Sequence, residues 1–296
     1  MSYQDMILET LSKDWSPTKL GTFRTCPKKF DFQYVQRIPT KQGTAAFLGN
    51  CVHTAIQTHF LASVREDLII QDTEDIFKGE FMQYSEKDIY GQDVPLEVID
   101  KDYSMGIALL TAYKPTLQAL IAEGTKQYHD TGLLPECEHK VNFAISPNGE
   151  ILPHTEKSEE NIGVFGKIDL LMPNGMVMDI KTASRAKQKE DVSYSLQFGL
   201  YSAYVKNIYL KTDQPVKFQV HTITKTKEVK VQILEAEYGD SEILDIIQQA
   251  KAISNAVRNI KTTHDFMINP NMLCKNYCDY KDLCSYGKRL CNEPEA

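Results

Sequence analysis

The chain has 296 residues, 42% hydrophobic and 25% charged, which suits one sizeable globular unit or two small domains. No apolar run reaches the roughly 18 residues of a membrane span, and the opening Met1-Ser2-Tyr3-Gln4-Asp5 lacks the basic-then-apolar order of a secretory signal, so a soluble, cytoplasmic protein is expected. The net charge of −7 argues against an evenly cationic surface, yet the charge is uneven: Lys181 to Lys230 holds ten Lys or Arg against four acids, and Arg65 to Asp102 holds twelve acids against four bases. The first stretch is either a solvated face or a surface for a polyanion; the second reads as a solvated helical insert.

In chain order, Ser16-Pro17 is a helix start, and Leu20, Phe23, Phe30 and Tyr34 continue it to about Tyr34. A second helix is predicted over about Thr44 to Val64, with Phe47, Val52, Ala55, Ile56 and Phe60 apolar, and it carries His53. Asp100 to Tyr128 reads as a long helix, broken or kinked near Pro115. After Gly132 the period shortens to that of strands: Lys140 to Ile145, Gly163 to Met172 and Met176 to Ile180, the last two joined by the turn Pro173-Asn174-Gly175. Helical spacing returns over Asp191 to Leu210, followed by strands at Val216 to Ile223 and Val229 to Leu234 and a helix over Ser241 to Ile260. This order implies an α/β fold with a mixed central sheet flanked by helices.

The most informative text is Gly166-Lys167-Ile168-Asp169, nine further residues, then Asp179-Ile180-Lys181-Thr182. Residues two apart on a strand share a face, so Asp179 and Lys181 point together, and Asp169 can approach from the neighbouring strand. Two carboxylates with phosphate oxygens and waters form a shell for a hard cation such as Mg²⁺ or Mn²⁺. A lysine beside them can position or deprotonate a water and offset phosphate charge, which suits phosphodiester hydrolysis. An isolated Asp-x-Lys is more often an exposed ion pair. Here it follows the apolar run Met176-Val177-Met178, which suggests an interior strand where unpaired charge is costly.

Seven cysteines, an odd number in a chain without an export signal, favour metal ligation over disulfides. Cys26 stands alone near the start, and Cys274, Cys278 and Cys284 cluster near the end; four thiolates suit an iron–sulfur cluster or zinc, either of which would join the two ends. Cys51, Cys137 and Cys291 have no evident partners, though Cys291 could substitute as a ligand.

Gly166 to Asp169 and Asp179 to Thr182 resemble the GxxD and DxKT motifs of RecB-like PD-(D/E)XK nucleases. Gln197-Phe198-Gly199-Leu200-Tyr201 resembles that family's QxxxY helix, and Gly49-Asn50-Cys51-Val52-His53 its upstream glycine and histidine. The resemblance implies a restriction-endonuclease-like core in which His53, Asp169, Asp179 and the Ile180 carbonyl hold Mg²⁺ or Mn²⁺, Lys181 is the catalytic lysine, and Gln197 and Tyr201 contact phosphate or catalytic groups. The four cysteines resemble the [4Fe-4S] staple of AddB-type and CRISPR-associated exonucleases, with zinc as the alternative, although three residues separate Cys274 from Cys278 where the family usually has two. A single unit is then expected: a helical part over residues 1–130, a nuclease core over 131–262 and a cysteine segment over 263–296. The implied activity is exonuclease cleavage of single-stranded DNA or duplex ends in recombination, repair or phage DNA processing, with a recombination or helicase partner and no membrane. The competing expectation is a non-catalytic DNA-binding or scaffold subunit.

Overall fold

A computed structural model describes residues 2–40, 43–65, 71–84, 95–156, 158 and 160–292. Six strands form one mixed sheet in the spatial order β2-β1-β3-β4-β5-β6. They are β1 (Glu136–Ile145), β2 (Ile151–Pro153), β3 (Ile162–Leu171), β4 (Val177–Ala183), β5 (Val216–Thr224) and β6 (Val231–Tyr238). All neighbours run antiparallel except β4 and β5. A parallel pair needs a crossover, and here it runs through helices α7 (Lys189–Ser193) and α8 (Leu196–Tyr204) and a π-helical turn at Val205–Tyr209. The helical period read over Asp191 to Leu210 is therefore interrupted at Tyr194-Ser195, where Ser195 caps α8 by accepting from the Phe198 amide.

Each face of the sheet is covered by helices, in keeping with a restriction-endonuclease-like α/β core. On one side α1 (Tyr3–Ser12), α2 (Pro17–Thr25), α8 and α9 (Asp240–Asn259) bury Ile7, Leu20, Phe198 and Ile246 against Val164, Ile168 and Val220. On the other, α4 (Thr44–Arg65), α5 (Thr73–Phe81) and α6 (Leu96–Thr131) bury Val52, Phe60, Phe77 and Leu117 against Leu170, Met178 and Ile180. Helix α6 runs without interruption through Pro115, so the break expected there does not form. Part of the acidic stretch between 65 and 102 lies outside the described residues, but α5 within it packs Phe77 and Phe81 into the core, which a purely solvated insert would not do.

The predicted helix from Pro17 to Tyr34 is also divided. Cys26 is extended (φ −159°), because the ring of Pro27 excludes the residue before it from helical space. A short helix α3 (Pro27–Phe30) and a π turn at Asp31–Val35 follow. This break turns Cys26 toward the C-terminal segment, which holds α10 (Leu273–Asn276) and α11 (Ser285–Asn292). Phe266 packs on Phe23 and Phe30, the Lys28 amide donates to the Met267 carbonyl, and Asn269 Nδ2 donates to the Thr25 carbonyl at 2.8 Å. Asp31, fully buried, accepts from Tyr3, Lys28, Gln36 and Thr263, so both ends of the described chain meet at one carboxylate.

Candidate active site

The β3–β4 ladder pairs only Leu170 with Met178 and Leu171 with Val177. The next residues in that register are Asp169 and Asp179, and there the strands part. In place of a ladder bond, the Ile180 amide donates to Asp169 Oδ2 at 2.9 Å. The wedge so opened receives helix α4, which lays His53 Nε2 3.1 Å from Asp169 Oδ2. One turn along, Gln57 Nε2 donates to the Asp169 carbonyl at 2.9 Å and to Glu138 Oε1 at 3.3 Å. On β4, Lys181 Nζ lies 2.8 Å from Asp179 Oδ1, and Gln197 Nε2 of α8 donates to the same oxygen at 3.0 Å.

Five of the site residues read from sequence, His53, Asp169, Asp179, Lys181 and Gln197, are thus linked directly or through one neighbour. Tyr201 stands slightly apart: its hydroxyl accepts from the Lys167 amide at 3.3 Å, and its ring closely approaches Gly166. A Cβ at residue 166 would come within 2.7 Å of that ring, which explains the glycine. Gly49 has a similar reason, since a Cβ there would meet Thr182 Oγ1 at 2.9 Å, closer than the two can pack unless one of them shifts.

Burial and charge oppose one another throughout the site. Burial would lower the His53 pKa, but the Asp169 hydrogen bond and charge outweigh it and hold the imidazole above its ordinary value. Burial would raise Asp169, and its bond to His53 with the nearby Lys181 charge brings it below the ordinary range. Asp179 goes the other way: its complete burial, aided by the Asp169 charge, raises it despite Lys181. Its second oxygen, Oδ2, is buried with no hydrogen-bond partner among the described residues. A buried carboxylate oxygen without a donor is costly, and a cation is the group that would satisfy it.

The wedge opens to solvent as a cleft of about 440 Å³, lined among others by Asn50, His53, Glu138, Asp169, Ile180 and Lys181. Asp179 stands behind Lys181, 2% exposed, and forms no part of that lining. Glu138 was not expected. With His53 and Asp169 it offers three ligand atoms that all lie within 4.8 Å of one another, a compact set for a metal ion. Glu138 is held at φ 53° on β1, across from Asp169, and Lys167 Nζ contacts its other oxygen at 2.9 Å. Starting β1 at Lys140 hid it; extending the strand back through the less regular Glu136-Cys137-Glu138 would have put an acid opposite Asp169.

Residues 14–285 match the family model described as the PD-(D/E)XK nuclease superfamily. This chain belongs to that superfamily. No curated protein matches it in sequence. Among solved structures, a candidate exonuclease from Eubacterium rectale is similar at 12% identity and a TM-score of 0.49, covering 100% of this chain and 93% of its own. The protein SSO0001 is similar at 12% identity and a TM-score of 0.31, covering 80% of this chain and 95% of its own. Membership makes this a nuclease, with the divalent-metal dependence general to the superfamily, and its acidic cluster lies where the sheet splays.

The cysteines of the two chain ends also meet. Cys26, Cys274, Cys278 and Cys284 line one pocket with Lys28, Lys29, Phe32 and Tyr280. Burial raises the Cys278 thiol, with Cys274 and Cys26 close enough to add to the effect. The side chain of Cys291 lies outside the described residues. Cys51 lies on the buried face of α4, and Cys137 is held well above the ordinary thiol range, first by burial and then by Glu138 and Asp169, so neither joins this group.

Proposed function

We propose that the chain is a RecB-like, metal-dependent deoxyribonuclease that acts as an exonuclease on single-stranded DNA or DNA ends in recombination, repair or phage DNA processing. The observation that carries the catalytic part is the set His53, Glu138 and Asp169, whose ligand atoms lie within 4.8 Å of one another in a cleft that Lys181 also lines, with the buried Asp179 paired to Lys181 behind it. Mg²⁺ or Mn²⁺ fits this donor set, through His53, Asp169, Asp179 and the Ile180 carbonyl, with Glu138 as a further oxygen ligand. Such an ion, when bound, supplies Lewis-acid stabilisation of charge on the phosphate. Lys181, its side chain 40% exposed, reaches the cleft from beside Asp179 and orients the attacking water or takes its proton. Gln197 fixes the Asp179 carboxylate from behind, and Tyr201 fixes the β3 backbone at Lys167. In this reading the nuclease core, the helical part and the cysteine segment work as one unit, in the cytoplasm and beside a recombination or helicase partner.

The four cysteines are read as ligands of a [4Fe-4S] cluster. A single zinc with Zn–S bonds of about 2.3 Å draws its thiolates to within about 4 Å of each other. The four cysteines line one pocket, and four thiolates suit either an iron–sulfur cluster or that single zinc, so metal analysis of the purified protein decides between them. The decisive experiment is hydrolysis of end-labelled single- and double-stranded DNA with Mg²⁺, Mn²⁺ or chelator, on parent and Lys181→Ala proteins. Metal-dependent cleavage lost in the variant is expected. Cleavage by both proteins alike would overturn the assignment, and binding without cleavage would favour a scaffold role.

A further inference from the structure

The ten basic residues between Lys181 and Lys230 do not form one face. Lys206 is buried, bonded to the Asp213 carbonyl and 3.3 Å from Asp240, and Lys211 and Lys217 lie at the end of the sheet where β5 begins. Arg185, Lys187, Lys225, Lys227 and Lys230 instead share the opposite end, in the two loops that leave the C-terminal ends of β4 and β5, with Lys189 at the start of α7 where the first loop ends. The first loop starts two residues beyond Thr182, a wall of the active-site cleft.

Both loops are pinned. The Gln232 side chain accepts from the Lys187 amide at 2.9 Å and donates to the Lys187 carbonyl at 3.0 Å, so the first loop is fastened to β6 as a further strand would be. The Lys225 amide donates to the Ala183 carbonyl, which ties the second loop to the end of β4 where the first loop begins, and Thr224 closes the second loop on Lys230 through backbone and hydroxyl. Lys225 Nζ then reaches across to the Ala45 carbonyl of α4, the helix that carries His53. Among the described residues, Arg185, Lys187, Lys189 and Lys227 form no ion pair, whereas Lys230 pairs with Glu228. With Lys225 and Lys230 they set six bases against the acids Glu190, Asp191 and Glu228 at one end of the sheet, a locally positive surface in a protein whose net charge is −7, and a polyanion is its complement.

We propose that these two loops are the nucleic-acid grip: they hold the phosphates of a single DNA strand on one side of the scissile bond and feed it past Lys181 into the cleft. The proposal rests on the nuclease reading above and adds where the strand runs. A positive track that follows a backbone suits an unpaired strand, and its pinned loops lose little freedom on binding.

The test uses the full chain and a fluorescent oligothymidylate, with Ca²⁺ replacing Mg²⁺ to allow binding measurements by anisotropy across a salt series. The Arg185→Ala/Lys227→Ala protein is compared with Lys211→Ala/Lys217→Ala, which loses the same charge at the far end of the sheet. Each phosphate contact contributes about 0.7 to the slope of log affinity against log salt for a single strand, so the first pair should reduce the slope by about 1.4 and weaken binding about tenfold. The second pair should change neither, and Mg²⁺-dependent hydrolysis of a small nitrophenyl thymidylate ester, too short to reach the loops, should be equal in all three proteins. Equal losses in both pairs, or no loss in either, overturn the grip. A parent protein that binds with the expected slope but hydrolyses neither DNA nor the ester would overturn the nuclease reading and leave the grip supported.

Discussion

Replacing Asp179 by Asn should make the metal-free protein more stable while abolishing hydrolysis. In the fold this carboxyl is pushed from its ordinary 3.8 up to about 6, chiefly by burial. A shift of about 2 units corresponds to about 3 kcal/mol of destabilisation once the group ionises. Because the folded-state pKa is raised, the folded chain binds this proton more tightly than the unfolded one. The contribution of this group to stability is therefore greatest below about 4, falls as pH rises to about 6, and levels off above. Asn retains an oxygen for the Lys181 and Gln197 bonds, but its amide nitrogen lacks an evident acceptor, which takes back about 1 kcal/mol. The net gain of about 2 kcal/mol should raise the melting temperature at pH 8 by about 4 °C. Scanning calorimetry of both proteins in chelator, from pH 4 to pH 8, measures it: the variant should lack the decline between pH 4 and 6. Adding Mg²⁺ or Mn²⁺ should stabilise the parent and leave the variant nearly unmoved. A variant less stable than the parent in chelator at pH 8 would refute the reasoning, for the carboxylate would then be satisfied without a cation.

Glu138→Gln should weaken Mn²⁺ binding about tenfold by titration calorimetry, since a neutral amide is a poorer partner for a hard cation; unchanged affinity would remove Glu138 from the ligand set. Gly166→Ala should displace the Tyr201 ring and lower both cleavage rate and stability, the latter by about 1 to 3 kcal/mol in urea unfolding, and Tyr201→Phe should leave stability largely intact. Cys26→Ala should lose the visible absorbance of thiolate-bound iron, and by analogy with a long-loop cross-link about 4 kcal/mol of stability; full metal content and an unchanged melting temperature would show that Cys26 is not a ligand.

Much of the candidate site's geometry was legible because strand periodicity is short and strict. Once Asp179 and Lys181 sit two apart on an interior strand and Asp169 on its hairpin partner, the pleat brings them together with little help from the rest of the chain. His53 was placed correctly on a helix, but its distance from Asp169 depends on how α4 crosses the sheet, which no local pattern encodes. Glu138 escaped because its backbone leaves strand geometry where it is used. The helix through Cys26 was drawn too long because apolar spacing continued across Pro27, and the proline outweighed it. The passage through Pro115 went the other way: packing of α6 against α4 and α5 sustained a helix that the local rule would break. Basic residues between 181 and 230 could be counted but not sorted, since only the sheet decides which lie at the cleft and which at the far end.

Asp31 sets an order on the making of this protein. Its partners include Tyr3 and Thr263, and the aromatic contacts of Phe23 and Phe30 wait for Phe266, more than 230 residues later in synthesis. A nascent chain can assemble the sheet and the wedge between β3 and β4 while its leading helices still lack their final neighbours. During translation, at roughly 5 to 20 residues per second, Phe23 and Phe30 therefore remain without Phe266 for many seconds after leaving the ribosome. Chaperone demand should concentrate in that interval, and chains stalled on the ribosome before codon 263 should display an N-terminus far more sensitive to protease than the released protein does.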